Sequence, residues 1–198
     1  VAGPEAFYAW NLFRRFGIEW RERAIDFTIR RMDSWGLTTG PSPYFTSDLG
    51  IETGKPYLNF FRVPRDTRTS FLGLPDVYSD DFIRSVDEAA AAQMAPRKDD
   101  PYLVGYFVGN EPPWPEREVE LVDLILDGPE SATQRTLQEF LAEGDSEERR
   151  RIFIRDSFER YLQIVNESCR RHDPNHLNLG MRFGGQPPDY LLKMGRAF

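Results

Sequence analysis

The chain has 198 residues, 25 Lys+Arg against 32 Asp+Glu for a net charge of −7, with 40% hydrophobic and 14% aromatic residues. That is one domain's length with enough apolar residues for a core, and its scattered positive charge lacks the concentrated basic face that nucleic acid or an anionic membrane requires. No apolar run approaches the roughly 18 residues of a membrane span, residues 1–10 lack the layout of a signal peptide, and Cys169 as the only cysteine excludes an internal disulfide or a cysteine-built zinc site.

In chain order, residues 19–35 predict a helix. Ile25, Ile29 and Met32 recur at helical spacing, Arg21, Arg23, Arg30 and Arg31 supply a solvated face, and Gly36 suits the stop. A short strand is expected over residues 37–43 and a second over 56–63 (PYLNFFRV), closed by Pro64. Ser79 followed by Asp80 and Asp81 is an N-cap with acidic residues at the positive helix end, and Pro96 ends that helix. Residues 102–109 (YLVGYFVG) are apolar without polar alternation, which predicts a strand buried on both faces, as in a parallel sheet.

Residues 119–126 and 133–141 read as helical pieces separated by Gly128-Pro129. The longest helix is expected from about Asp145, spaced as a capping box with Glu148, to Arg171, its buried stripe running from Ile154 to Cys169. Asp173-Pro174-Asn175 turns the chain, residues 176–183 (HLNLGMRF) form a fourth strand, and 188–198 open another helix. Four strands separated by helices indicate βα units, and right-handed crossovers make the sheet parallel.

The α/β solutions are a doubly wound sheet or a (β/α)8 TIM barrel. No G-x-G-x-x-G or G-x-x-x-x-G-K-[ST] supports a nucleotide-binding sheet. Polar residues instead gather where strands end, Asn110-Glu111 after one and Arg182 near the end of another, which is where barrel active sites lie. A whole barrel needs about 250 residues. The expectation is therefore a single incomplete barrel domain over residues 1–198, holding about strands 2 to 5 with their helices, and the absent initiator Met fits an excised piece.

The stretch that carries chemistry is residues 102–114, where a buried strand delivers a carboxamide and a carboxylate side by side before Pro112 and Pro113. Glycosidic cleavage needs a carboxylic acid to protonate the leaving oxygen and a hydrogen-bonding group for the sugar 2-hydroxyl. Glu111 and Asn110 suit these roles, and Trp114 offers a flat face for a sugar ring. The competing reading makes Asn110 and Glu111 the start of a solvated loop and Trp114 a core residue.

Asn110-Glu111-Pro112 after this strand resembles the acid/base signature of the retaining glycoside hydrolases of clan GH-A, which have (β/α)8 barrels. Residues 7–17 (FYAWNLFRRFG), 30–40 (RRMDSWGLTTG), 75–82 (PDVYSDDF) and 173–183 (DPNHLNLGMRF) are similar to the β-agarases of glycoside hydrolase family 50 and their relatives around the β-galactosidases of family 42. The resemblance implies Glu111 as general acid/base and Asn110 as the 2-hydroxyl contact. It places the nucleophile, a second Glu at the end of the seventh strand, outside this chain, so the chain alone is expected to be inactive. It further implies a carbohydrate partner, a β-linked galactan or galactoside, no metal or organic cofactor, and secretion or a periplasmic location. Where the family often carries an Asn or Trp after its second strand, this chain departs from the pattern with Gly40-Pro41-Ser42-Pro43-Tyr44, so the family's sugar contacts there do not carry over; Tyr44 is a separate candidate for binding sugar. Open sheet edges in a partial barrel invite a homo-oligomer or a complementing chain. The alternative reading is a non-catalytic carbohydrate-binding or assembly protein derived from such a barrel.

Of the remaining candidates, Arg182 either holds a substrate hydroxyl, orients a catalytic carboxylate or forms a structural ion pair. His172 and His176 have i,i+4 spacing, but Pro174 between them breaks the helix that a metal pair would need. Asp76, Asp80 and Asp81 read as turn and cap residues, the Asn166-Glu167-Ser168 sequon sits inside the long helix, and Cys169 reads as a small core residue.

Overall fold

The computed structural model describes residues 6–40 and 54–198. The chain divides into two compact units, Val1–Leu58 with Pro101–Leu103, and Asn59–Asp100 with Val104–Phe198.

Within the first unit, α1 (Ala6–Phe16) and α2 (Trp20–Ser34) form a helical hairpin joined by a single tight turn over Gly17–Glu19. Helix α1 was not among the elements expected from the sequence. Helix α2 buries Met32, and it ends where Gly36, at φ +69°, donates to Asp33 O while Leu37 N–H donates to Met32 O. These paired bonds satisfy the last carbonyls of the helix. They also engage Leu37, and Leu37–Gly40 form no strand; the remainder of the strand expected over 37–43 lies outside the described residues.

Strand β1 (Tyr57–Phe60) is shorter than the run 56–63 suggested. The Gln93 side chain takes both backbone groups of Arg62, accepting its N–H at 3.0 Å and donating to its carbonyl at 3.1 Å, so the ladder stops there. The expected strand 102–109 divides into β2 (Leu103–Phe107) and β3 (Gly109–Asn110), and the strand 176–183 into β4 (Leu177–Asn178) and β5 (Met181–Arg182). One parallel register runs through both halves: Gly105 faces Leu177, and Asn110 faces Arg182. Between the halves, Leu179 N–H donates to Tyr106 O and Val108 N–H to Gly180 O. Gly180, at φ +74°, makes the kink on the β4–β5 side. Burial on both faces does not hold throughout, because Leu103 and Tyr106 are buried whereas Val104 is exposed.

Helices pack beside this sheet. The Ser79 hydroxyl accepts from Asp81 N–H to cap α3 (Asp80–Gln93), whose Phe82, Val86 and Ala90 are buried. Helices α4 (Glu118–Asp127) and α5 (Ala132–Ala142) pack on each other and on α6 (Glu147–His172), which supplies Ile154, Phe158, Tyr161 and Val165 to the core. The cap of α6 is Ser146, whose hydroxyl accepts from Arg149 N–H, one residue later than the expected Asp145. Asp145 instead pairs with Arg150. Asp76 reaches across 56 residues of sequence to accept the Ala132 N–H at the start of α5, and it also accepts the Thr133 N–H and hydroxyl. Gln134 in return donates to the last carbonyls of α4, those of Ile125 and Leu126, and to Gly128 O. A short α7 (Asp189–Gly195) follows the second strand pair.

Candidate active site

The site is built at the C-terminal ends of β3 and β5. Their parallel register sets Asn110 opposite Arg182, and Glu111 N–H donates to Arg182 O at 2.7 Å. One guanidinium nitrogen of Arg182 donates to Asn110 Oδ1 at 2.7 Å and also to Glu111 Oε1. Glu111 and Arg182 are each half exposed. The Glu111 backbone is left-handed, at φ +45°, which a non-glycine residue adopts at a cost and which turns its side chain out of the strand direction. Gly184 completes the enclosure: a Cβ there would lie 3.2 Å from Glu111 Cδ and 3.3 Å from Cγ.

Two further contacts fix the strand that delivers Asn110 and Glu111. Tyr161 on α6 donates its hydroxyl to Val108 O at 2.8 Å, and burial pushes that phenol well above its ordinary range. On the exit side, Gly73 of the tight turn 71–74 lies against Pro112 and Pro113. The result is a solvent-facing carboxylate beside a carboxamide whose oxygen is already engaged, leaving the Asn110 NH2 group to donate to a ligand oxygen. A carboxylate can take or give a proton, and a primary amide can donate to a sugar hydroxyl.

The structure thus brings Asn110, Glu111 and Arg182 together. Trp114 does not join them as an open face: it is 1% exposed, with its ring centroid 4.8 Å from that of Phe158, which corrects the expectation of an exposed stacking platform. The turn after Pro113 carries the indole inward to the core beside α6. Tyr44 lies outside the described residues. Reading the sequence did not single out Gly184, Glu118 or Tyr190. The first had no signal beyond its place next to Gly185, and the other two are joined only by folding.

At the opposite end of the strands, Asp173 is buried and accepts from Tyr106 OH at 3.0 Å and from the backbone N–H groups of Asn175 and His176. His176 places Nδ1 2.7 Å from Asp173 and Nε2 2.9 Å from Asp100 O, whereas His172 meets Asp87. The two histidines therefore serve different carboxylates. Asn166 is buried on α6 and accepts from Asn178. Burial, with Asp173 adding, pushes the Cys169 thiol up to about 12. No helix among the described residues is long and apolar enough to cross a membrane.

No family model matches the chain, and no curated protein does. Solved structures do. An agarase, AgWH50C, is 22% identical with a TM-score of 0.73, the match covering 96% of this chain and 32% of the agarase. An exo-β-agarase is 20% identical with a TM-score of 0.75, covering 97% and 34%. PfGH50B is likewise 20% identical with a TM-score of 0.75, covering 97% and 35%. The chain therefore has the fold of a part of these proteins and spans about a third of their length. Identity this low establishes the fold alone.

Proposed function

We propose that this chain is part of a retaining glycoside hydrolase of the agarase type, acting on a β-linked galactan or galactoside, with its strands forming a segment of a (β/α)8 barrel. The observation that carries the reading is the cluster of Asn110, Glu111 and Arg182 at the C-terminal end of a parallel strand pair. The fold likeness to agarases supports it, because it runs through nearly the whole of this chain.

In this mechanism Glu111 gives its proton to the glycosidic oxygen as that bond breaks, while a second carboxylate bonds to the anomeric carbon. Glu111, now ionised, then takes a proton from water as the water oxygen displaces the second carboxylate. Arg182 orients the Glu111 carboxyl through its guanidinium contact. Asn110 donates to the sugar 2-hydroxyl. We assign the second carboxylate to a segment outside these 198 residues, about 5 to 5.5 Å from Glu111 in the complete site.

Hydrolysis of agaro-oligosaccharides and of a chromogenic β-galactoside by this segment joined to the polypeptide that supplies the second carboxylate tests the reading when compared with Glu111→Gln; the 198 residues alone are expected to turn over neither. Turnover that disappears with the substitution supports it, and turnover that survives removes Glu111 from the mechanism. Sugar binding without turnover in either form selects a carbohydrate-binding role for this segment.

A further inference from the structure

Glu118 is a carboxylate that the chemistry above does not use, yet it is 1% exposed. It opens α4 and accepts the Tyr190 hydroxyl at 2.6 Å, with an Arg151 guanidinium nitrogen at 3.4 Å and the Arg155 guanidinium 4.3 Å over the Tyr190 ring. Burial and this contact push the Tyr190 phenol well above its ordinary range. A carboxyl group buried in this way costs desolvation that an apolar side chain of similar volume would not, so stability alone gives no reason to place it there.

Its position does. Glu118 and Tyr190 are 72 residues apart in sequence, the same separation as Asn110 and Arg182. The two pairs are joined by two short arms, residues 112–117 leaving Glu111 and residues 183–189 leaving Arg182. Each arm is stiffened by proline, at Pro112, Pro113 and Pro115 in one and Pro187 and Pro188 in the other, which fixes φ at each of those residues. The second arm contains Gly184, where an added Cβ would meet the Glu111 side chain at 3.2 Å. The strand ends, the two arms and the buried bond make a closed circuit of chain that includes Glu111 and Arg182.

We infer that Glu118 and Tyr190 are positioning residues for Glu111: their hydrogen bond closes the circuit that holds the carboxylate against Arg182 and Gly184. The inference rests on the reading of Glu111 as the acid/base group. Losing the bond leaves the strand pair intact and lets the arms separate, so Glu111 loses its aim without losing its chemistry.

The test compares the parent with Tyr190→Phe and Glu118→Gln. Tyr190→Phe keeps the ring and removes the hydroxyl; Glu118→Gln keeps an oxygen that accepts it. Two readouts are taken: hydrogen exchange of the Glu111 amide in the 198-residue chain, followed by NMR, and kcat and KM on agaro-oligosaccharides with the segment joined to the polypeptide that supplies the second carboxylate. A misplacement of this size predicts that Tyr190→Phe speeds Glu111 exchange and lowers kcat by about 10-fold or more, with KM within about 2-fold and Glu118→Gln within about 3-fold of the parent in both. Parent-like exchange and kcat in Tyr190→Phe overturn the inference, as does a change confined to KM. If the parent joined to its second carboxylate turns over none of the sugars, the proposed function fails and exchange at Glu111 alone decides the inference. If Tyr190→Phe does not fold, Glu118→Met removes the same bond at similar volume and is read by the same criteria.

Discussion

Asn110 and Arg182 face each other across one parallel register, and a single nitrogen of the Arg182 guanidinium spans the Asn110 carbonyl and the Glu111 carboxylate. Lysine can also donate to both from one nitrogen, but on a flexible stem without the planar guanidinium that fixes the direction of its donors. With the segment joined to the polypeptide that supplies the second carboxylate, Arg182→Lys is expected to lower sugar turnover by about 10- to 100-fold through misplacement of Glu111. Its melting temperature stays close to the parent's, because a half-exposed pair contributes only about 0 to 1 kcal/mol. Thermal melts and oligosaccharide hydrolysis on the same samples separate the two effects, and a large fall in melting temperature with unchanged turnover would contradict this assignment.

Trp114 gives the opposite expectation. Its indole is buried against Phe158, so Trp114→Ala costs about 3 to 5 kcal/mol of stability. Urea unfolding measures this as a shift of midpoint. A parent-like midpoint combined with lost sugar affinity would return Trp114 to a sugar-stacking role.

Asp76 closes the N-terminus of α5 with two accepted backbone N–H groups and one hydroxyl. Replacing it with Ala removes a cap worth about 1 to 2 kcal/mol. The same urea experiment reads it, with amide exchange in residues 132–136 rising first.

Alkaline pH should weaken the fold. Burial raises Cys169 from its usual 9.0 to about 12 and raises Tyr161 and Tyr190 above their usual 10.0. Above pH 9 the unfolded chain therefore releases protons that the folded chain keeps, and stability falls as pH rises, by up to about 1.4 kcal/mol per pH unit for each group in its window. For Cys169 that window runs from 9.0 to about 12, and Cys169→Ala removes its share. A denaturation midpoint that stays level from pH 9 to 11 would contradict the burial of these groups.

Much of this organisation is legible in the sequence, for identifiable reasons. Apolar runs mark the strands at 57–60, 103–107 and 177–182, and capping residues mark α3 and α6 within one residue, because both signals are local. The division of each long strand at Val108 and at Leu179–Gly180 is not local: it accompanies the bond from Tyr161 to the Val108 carbonyl, 53 residues away in sequence. Helix α1 shows its stop in Arg14, Arg15 and Gly17, but its many exposed aromatic residues, Phe7, Tyr8 and Trp10 among them, blur the apolar stripe by which a helix is read. At the site, Asn110 and Glu111 are legible because they adjoin each other after an apolar strand. The Glu118–Tyr190 bond joins residues whose spacing in sequence carries no periodic signal.

The central claim is that Asn110 and Glu111 form a sugar site at the strand ends, and the most direct measurement is an NMR titration of the 198-residue chain with agaro-oligosaccharides. The account predicts amide shifts concentrated on Asn110, Glu111, Arg182 and Gly184, lost in Asn110→Ala and retained in Glu111→Gln. Absence of binding, or shifts that gather elsewhere and survive Asn110→Ala, would contradict it.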